Sequence, residues 1–155
     1  MASIFRPFLL LLLPSILSVA VPVFASSLDE NVPDAQALSQ LEIRAQQASP
    51  RDQCFLYTEL VHTMTELAGK QMRDGDLDQA SVTLEKISRY AQLIHMGLGS
   101  NSKRLKNAEM LLEHTTYRLG EYVRHASYED RASMQSTLKQ LDQVHTELLA
   151  QIFAH

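Results

Sequence analysis

Between Leu77 and Leu98, apolar residues recur at steps of three and four without a miss: Leu77, Ala80, Leu84, Ile87, Ala91, Ile94 and Leu98. A half-buried strand would place them at every second position. Steps of three and four instead gather all seven on one face of an α-helix. A stripe sustained this long must be covered by another element, so the segment predicts a helix seated in an a/d-type seam.

Three neighbouring stretches carry similar stripes. Tyr57, Leu60, Val61, Met64, Leu67 and Ala68 form one; Leu105, Ala108, Leu112, Thr115, Leu119, Tyr122 and Ala126 form a second, with one polar threonine. Met134, Leu138, Leu141, His145, Leu148 and Ile152 form the third. A shorter stripe, Leu38, Leu41, Ala45 and Ala48, predicts a short helix within 34–48. Local signals mark the ends. Ser49-Pro50 gives an N-cap followed by proline at the first helical position, with Asp52 in the first turn; Asp74-Gly75 and Gly97 to Asn101 read as turns. Asp76 reads as a cap, and Ser127 with Asp130 three residues on resembles a capping box in which the acid is shorter than the usual Glu. No segment alternates like a strand between hairpin turns. The expected fold is all-α: an antiparallel bundle of four long helices plus a short N-terminal helix, with two tandem hairpins as one arrangement of it. Four segments of roughly 25 residues would each run about 37 Å.

The first 25 residues have a different character. One positive charge, Arg6, precedes an apolar run from Phe8 to Phe24 that ends in Val23-Phe24-Ala25, a small-residue cleavage pattern. Residues 1–25 read as a secretory signal peptide. About 17 apolar-rich positions nearly match a bilayer span, but Pro14, Ser15, Ser18 and Pro22 interrupt them. Residues 26–33 read as a flexible lead-in and 34–155 as a single helical domain. Export, to a periplasmic or extracellular location, is the expectation. Removing the leader takes away one of the 14 basic residues and none of the 18 acidic ones, a mild acidity that argues against nucleic-acid binding. Hydrophobic residues make up 45% and charged residues 21%, as in a globular chain. Cys54 is the single cysteine, so no intramolecular disulfide can form; its apolar neighbours Phe55, Tyr57, Leu60 and Val61 predict a buried thiol.

Leu67, Ala68, Gly75, Ala80 and Leu84 stand where a tetratricopeptide repeat carries a leucine and small residue, a glycine turn, then an alanine and a large apolar residue. The stretch resembles one such hairpin, which implies a helix–turn–helix unit of the kind found in partner-binding arrays. A true array repeats every 34 or so residues. Stepping forward from Gly75, Ala80 and Leu84 lands on Glu109, His114 and Arg118, and stepping back lands on Leu41, Gln46 and Pro50, so that period fails. A shift of 52 pairs His62 with His114, Thr63 with Thr115, Leu67 with Leu119, Asp78 with Asp130, Ala80 with Ala132 and Ser81 with Ser133. Two long hairpins, rather than a repeat array, fit the pattern.

Glu59-x-x-His62 and Asp142-x-x-His145 invite a metal reading, because carboxylate and imidazole three residues apart can meet in a bundle core. At about 100° per residue, however, Glu59 and His62 lie more than about 120° from the middle of their helix's apolar face, which directs them away from the core. His145 lies on its stripe, as a lone core histidine. His95 beside Met96, His62 near Met64, and His155 offer surface donors without diagnostic spacing. No nucleophile elbow, zinc-protease motif or phosphate loop is present. Lys103, Arg104 and Lys106 form a small basic cluster that reads as solvated surface, and Gly69 and Gly120 interrupt long helices, which close packing would explain.

No catalytic, cofactor or metal residue is assigned. The expectation is an exported, non-enzymatic binding or scaffolding protein with a protein partner, able to self-associate. The alternative is a small-ligand or metal carrier with Tyr57, Met64, Tyr122, Met134 and His145 lining a pocket. Leu56, Leu93, Met110, Leu111 and Leu149 lie off the main stripes and are candidates for an exposed apolar patch.

Overall fold

A computed structural model describes residues 34–98 and 102–154. The predicted leader and lead-in lie outside the described residues. Five helices follow in order: α1 (Ala35–Gln47), α2 (Pro50–Arg73), α3 (Leu77–Gly97), α4 (Leu105–His125) and α5 (Tyr128–Phe153). The all-helical expectation holds, with one short and four long helices and no strand among the described residues.

Caps act as their chemistry predicts, with two departures. The Asp34 carboxylate accepts from Ala37 N–H at 2.7 Å, and Ser127 Oγ accepts from Asp130 N–H at 3.2 Å while donating to Asp130 Oδ2 at 2.6 Å. The short Asp130 thus answers the serine hydroxyl instead of a backbone N–H. Ser49 departs because its hydroxyl donates to Asp52 Oδ2 at 2.7 Å and caps no backbone group; Asp76 likewise makes no side-chain cap bond. Gly75 ends the first hairpin turn at φ 81°, a left-handed conformation suited to glycine.

Helix α2 packs on α1, α3 and α4, and α5 packs on α3 and α4; α3 and α4, consecutive in sequence, lie across a diagonal. Within each hairpin the helices run antiparallel. Between hairpins they run parallel: His62 meets Thr115, Glu66 meets Arg118, and Gly69 meets Tyr122 across α2/α4, while Ser88 meets Gln140 and His95 meets Glu147 across α3/α5. All five pairs are 52 or 53 residues apart. The sequence offset of 52 is therefore the contact register between two hairpins laid side by side.

The core is the layer between them. Leu60, Val61, Met64, Ile87, Ala91, Ile94, Ala108, Leu112, Leu119, Met134, Leu141 and Leu148 are fully buried. Each large aliphatic side chain so placed contributes roughly 1.5–3 kcal/mol. Because α2 has neighbours on three sides, its buried arc is wider than one stripe and takes in Cys54, Phe55, Thr58, Thr65 and Gly69. Five threonines sit in the core, and each hydroxyl lies within 3.2 Å of the carbonyl four residues earlier: Thr58 to Cys54, Thr65 to Val61, Thr83 to Gln79, Thr115 to Leu111 and Thr137 to Ser133. This back-bonding satisfies a buried hydroxyl without a second helix. Among the described residues no buried side-chain nitrogen or oxygen lacks a partner.

The return from α3 to α4 is pinned to the start of α2. Lys103 N–H donates to Arg51 carbonyl at 2.7 Å, and the Arg104 guanidinium lies 3.4 Å from the centre of the Phe55 ring. Arg104 is at φ 60°, a left-handed conformation that costs a non-glycine residue about 1–2 kcal/mol. Stacking on Phe55 compensates in part. Helix α1 closes the outer side of α2, where the Tyr90 hydroxyl reaches Glu42 Oε1 at 3.0 Å and Tyr90 stacks on Tyr57 with ring centres 5.6 Å apart.

Candidate functional site

The turns joining α2 to α3 and α4 to α5 lie at the same end of the molecule, a consequence of the parallel stacking. Between them opens a cleft of about 360 Å³. Met72 and Arg73 from the last turn of α2, Leu77 from the start of α3, Tyr122 and His125 from the end of α4, and Asp130 from α5 line it. A crevice of about 140 Å³ continues from it along Ala80, Leu84 and Met134. The lining is mainly apolar and includes the charged or ionisable side chains Arg73, His125 and Asp130. Leu77, 45% exposed at the first position of α3, is an uncovered member of the most regular stripe in the chain. A separate groove of about 370 Å³ follows the outer side of α1, lined by Leu38, Leu41 and Arg44 with Thr63.

The cleft floor is built by a glycine. A Cβ at Gly69 would lie 2.2 Å from Tyr122 Cζ, far inside contact distance, so any larger residue there would push the ring from its place against α2. The ring is held from beyond by a charged network: Arg118 donates from Nε to Glu66 Oε1 at 2.8 Å and from Nη2 to Glu66 Oε2 at 2.9 Å, and Tyr122 O–H donates to Glu66 Oε2 at 2.8 Å. A paired fork of this kind is among the stronger charge-assisted arrangements. The Arg118 bonds hold the Glu66 carboxyl below the usual carboxylate range, whereas burial and the Glu66 acceptor push the Tyr122 phenol up. Close packing thus explains Gly69. It does not explain Gly120, whose nearest prospective neighbour, Leu138 Cδ2, is 4.0 Å away.

Farther along the same α2/α4 interface lies a histidine pair. His62 Nδ1 is 3.0 Å from Thr115 Oγ1, and the His62 and His114 rings have centres 5.3 Å apart. His62, which its helical angle turns away from the apolar face of α2, does not stand in open solvent, because α4 covers that side of α2. Glu59, its partner in the Glu-x-x-His spacing, turns instead to Arg44 of α1, 3.2 Å away. His145 pairs with Glu109 at 3.1 Å across α4/α5, and Asp142 is exposed. The two Glu/Asp-x-x-His spacings are not brought together, and among the described residues no group of three or more His, Cys, Asp and Glu is placed to hold a metal. His95 pairs with Glu147 at 2.5 Å, beside an exposed Met96; His155 lies outside the described residues.

The proposed carrier residues do not share a pocket. Tyr57 and Met64 are buried in the core, Tyr122 lines the cleft, Met134 borders the crevice that continues from it, and His145 is hydrogen-bonded to Glu109 across α4/α5. Of the candidate patch residues, Met110 is exposed, whereas Leu56 and Leu93 pack against the core and Leu111 and Leu149 are half-buried. The basic cluster has internal partners: Arg104 stacks on Phe55 and Lys103 lies 3.9 Å from Asp52. Cys54 is 1% exposed, and burial pushes its thiol up to about 11.

The cleft leaves little mark in the sequence, because it is formed by residues at the ends of four helices and the turns between them. Gly69 was its one visible signal. No helix among the described residues is long and apolar enough to cross a membrane. No family model, curated protein or solved structure matches the chain.

Proposed function

We propose that this is an exported, non-enzymatic binding or scaffolding protein, and that it takes an apolar segment of a protein partner into the cleft between its two hairpin turns. One observation carries the reading: the cleft joins a mainly apolar lining, including the uncovered Leu77, to the polar side chains of Arg73, His125 and Asp130. Apolar area supplies affinity in such a site, and a few charged groups fix the orientation of what enters. The floor beneath it, Gly69 under Tyr122 and Tyr122 held by Glu66 and Arg118, is set before a partner arrives, which lowers the ordering cost of binding. Export rests on the leader pattern of residues 1–25.

Native mass spectrometry of the protein purified gently from its own cells tests this reading, because one spectrum reports leader removal, stoichiometry and bound mass. The expected species lacks residues 1–25 and carries a protein partner, which Leu77→Asp removes and Tyr128→Asp, outside the cleft and 91% exposed, does not. Aspartate suits a helix start, so Leu77→Asp is compatible with the fold. A bound small molecule in place of a partner would move the assignment to a carrier. A partner retained by Leu77→Asp would exclude the cleft.

A further inference from the structure

The 52-residue register has a chemical consequence away from the cleft. Residues equivalent in the two hairpins become neighbours across α2/α4, so a histidine present at both equivalent positions is paired in space. His62 and His114 are such residues. We propose that they form a two-imidazole site for a divalent transition metal ion of the Zn²⁺, Ni²⁺ and Cu²⁺ class, with water completing the coordination.

The spacing fits one bridging ion. With metal–nitrogen bonds of about 2.0–2.1 Å at a tetrahedral angle, the centres of two imidazoles lie about 5 Å apart. Here they are 5.3 Å apart, with the ring planes inclined at 48°. The hydrogen bonds also fix which nitrogen can ligate. Thr115 has one hydroxyl proton, and at 2.7 Å it goes to Leu111 carbonyl, which can only accept. The contact at 3.0 Å with His62 must then be His62 Nδ1–H donating to Thr115 Oγ1. That leaves the lone pair on His62 Nε2. A ligating histidine held through its other ring nitrogen is the usual outer-shell arrangement, and Thr115, fixed in the core at 0% exposure, supplies it.

Access and charge agree with this assignment. His114 is exposed and His62 half-buried, so an ion reaches the pair from solvent. Burial disfavours a proton on His62, in the direction that leaves a lone pair free for a ligand. Imidazole donors suit ions of this class, and two protein ligands make an exchangeable site rather than a structural one.

Calorimetric titration of the full-length mature protein with Zn²⁺ and Ni²⁺ tests the site. One site is expected, weakened at least tenfold by His114→Gln and by His62→Gln, and several-fold by Thr115→Val, while His95→Gln and His125→Gln leave it unchanged. Exposed His114 can be replaced without touching the core, and circular dichroism checks the helicity of each variant. Broadening of NMR signals by Ni²⁺ should centre on residues 62 and 114. No binding by the wild type, or binding unaltered in His114→Gln, overturns the proposal.

Discussion

The Tyr122 ring of α4 lies against Gly69 of α2 so closely that a Cβ on Gly69 would fall 2.2 Å from Tyr122 Cζ. The same contact sets the distance between the two hairpins and forms the cleft floor. Replacing glycine by alanine inside a helix ordinarily stabilises it by about 1 kcal/mol. Here the overlap reverses the sign, and Gly69→Ala should destabilise by about 1–3 kcal/mol. In a Tyr122→Ala background, where the ring is gone, the same change should stabilise. Urea unfolding of the four proteins in this cycle checks the reversal.

Gly120 provides the contrast. With Leu138 Cδ2 at 4.0 Å as the nearest prospective contact, Gly120→Ala should raise stability by up to about 1 kcal/mol. A loss in the melting temperature would show that the α4/α5 layer is tighter than described.

The Glu66–Arg118 pair makes stability pH-dependent. Glu66 titrates below its ordinary 4.5 in the folded chain, chiefly because Arg118 donates to its carboxylate. A depressed folded value contributes stability that is present above 4.5 and lost as pH falls through the folded value. Glu66→Gln should cost about 1–3 kcal/mol at pH 7, since the two side chains are only 17% and 24% exposed. It should also flatten the part of the stability profile below pH 4.5. Denaturant midpoints from pH 3 to pH 7 report both effects.

Cys54 should be silent in the native state. At 1% exposure and with its thiol pushed up to about 11, it should react with a disulfide reagent only as fast as the chain opens, and at once in urea. Mature protein should run as a monomer on non-reducing electrophoresis, and a dimer abolished by Cys54→Ser would contradict the buried position.

Helix positions were legible because their signals are local. Pro50, the Asp74-Gly75 turn and the Ser127/Asp130 cap each act within one turn of the chain, and the structure places ends within a residue or two of them. The offset of 52 was legible too, but its spatial meaning was not. Whether α4 lies beside α2 or across from it depends on how whole faces pack, and a stripe records only that a face is covered. That ambiguity misplaced His62, whose side of α2 becomes an interface once α4 is laid parallel to it. Thr115 read as a polar interruption, whereas its hydroxyl is satisfied within its own helix and then serves His62. Gly69 and Gly120 looked alike in sequence; only the position of the Tyr122 ring separates them.

The parallel register of α2 and α4 underlies the cleft, the charged floor and the histidine pair alike. It is tested most directly by nuclear Overhauser contacts in the isotope-labelled mature protein. Strong contacts are expected from the Gly69 α-protons to the Tyr122 ring, with further contacts between the His62 and His114 rings. Contacts linking α3 to α4 along their lengths, with none from Gly69 to Tyr122, would contradict the stacked-hairpin arrangement and everything built upon it.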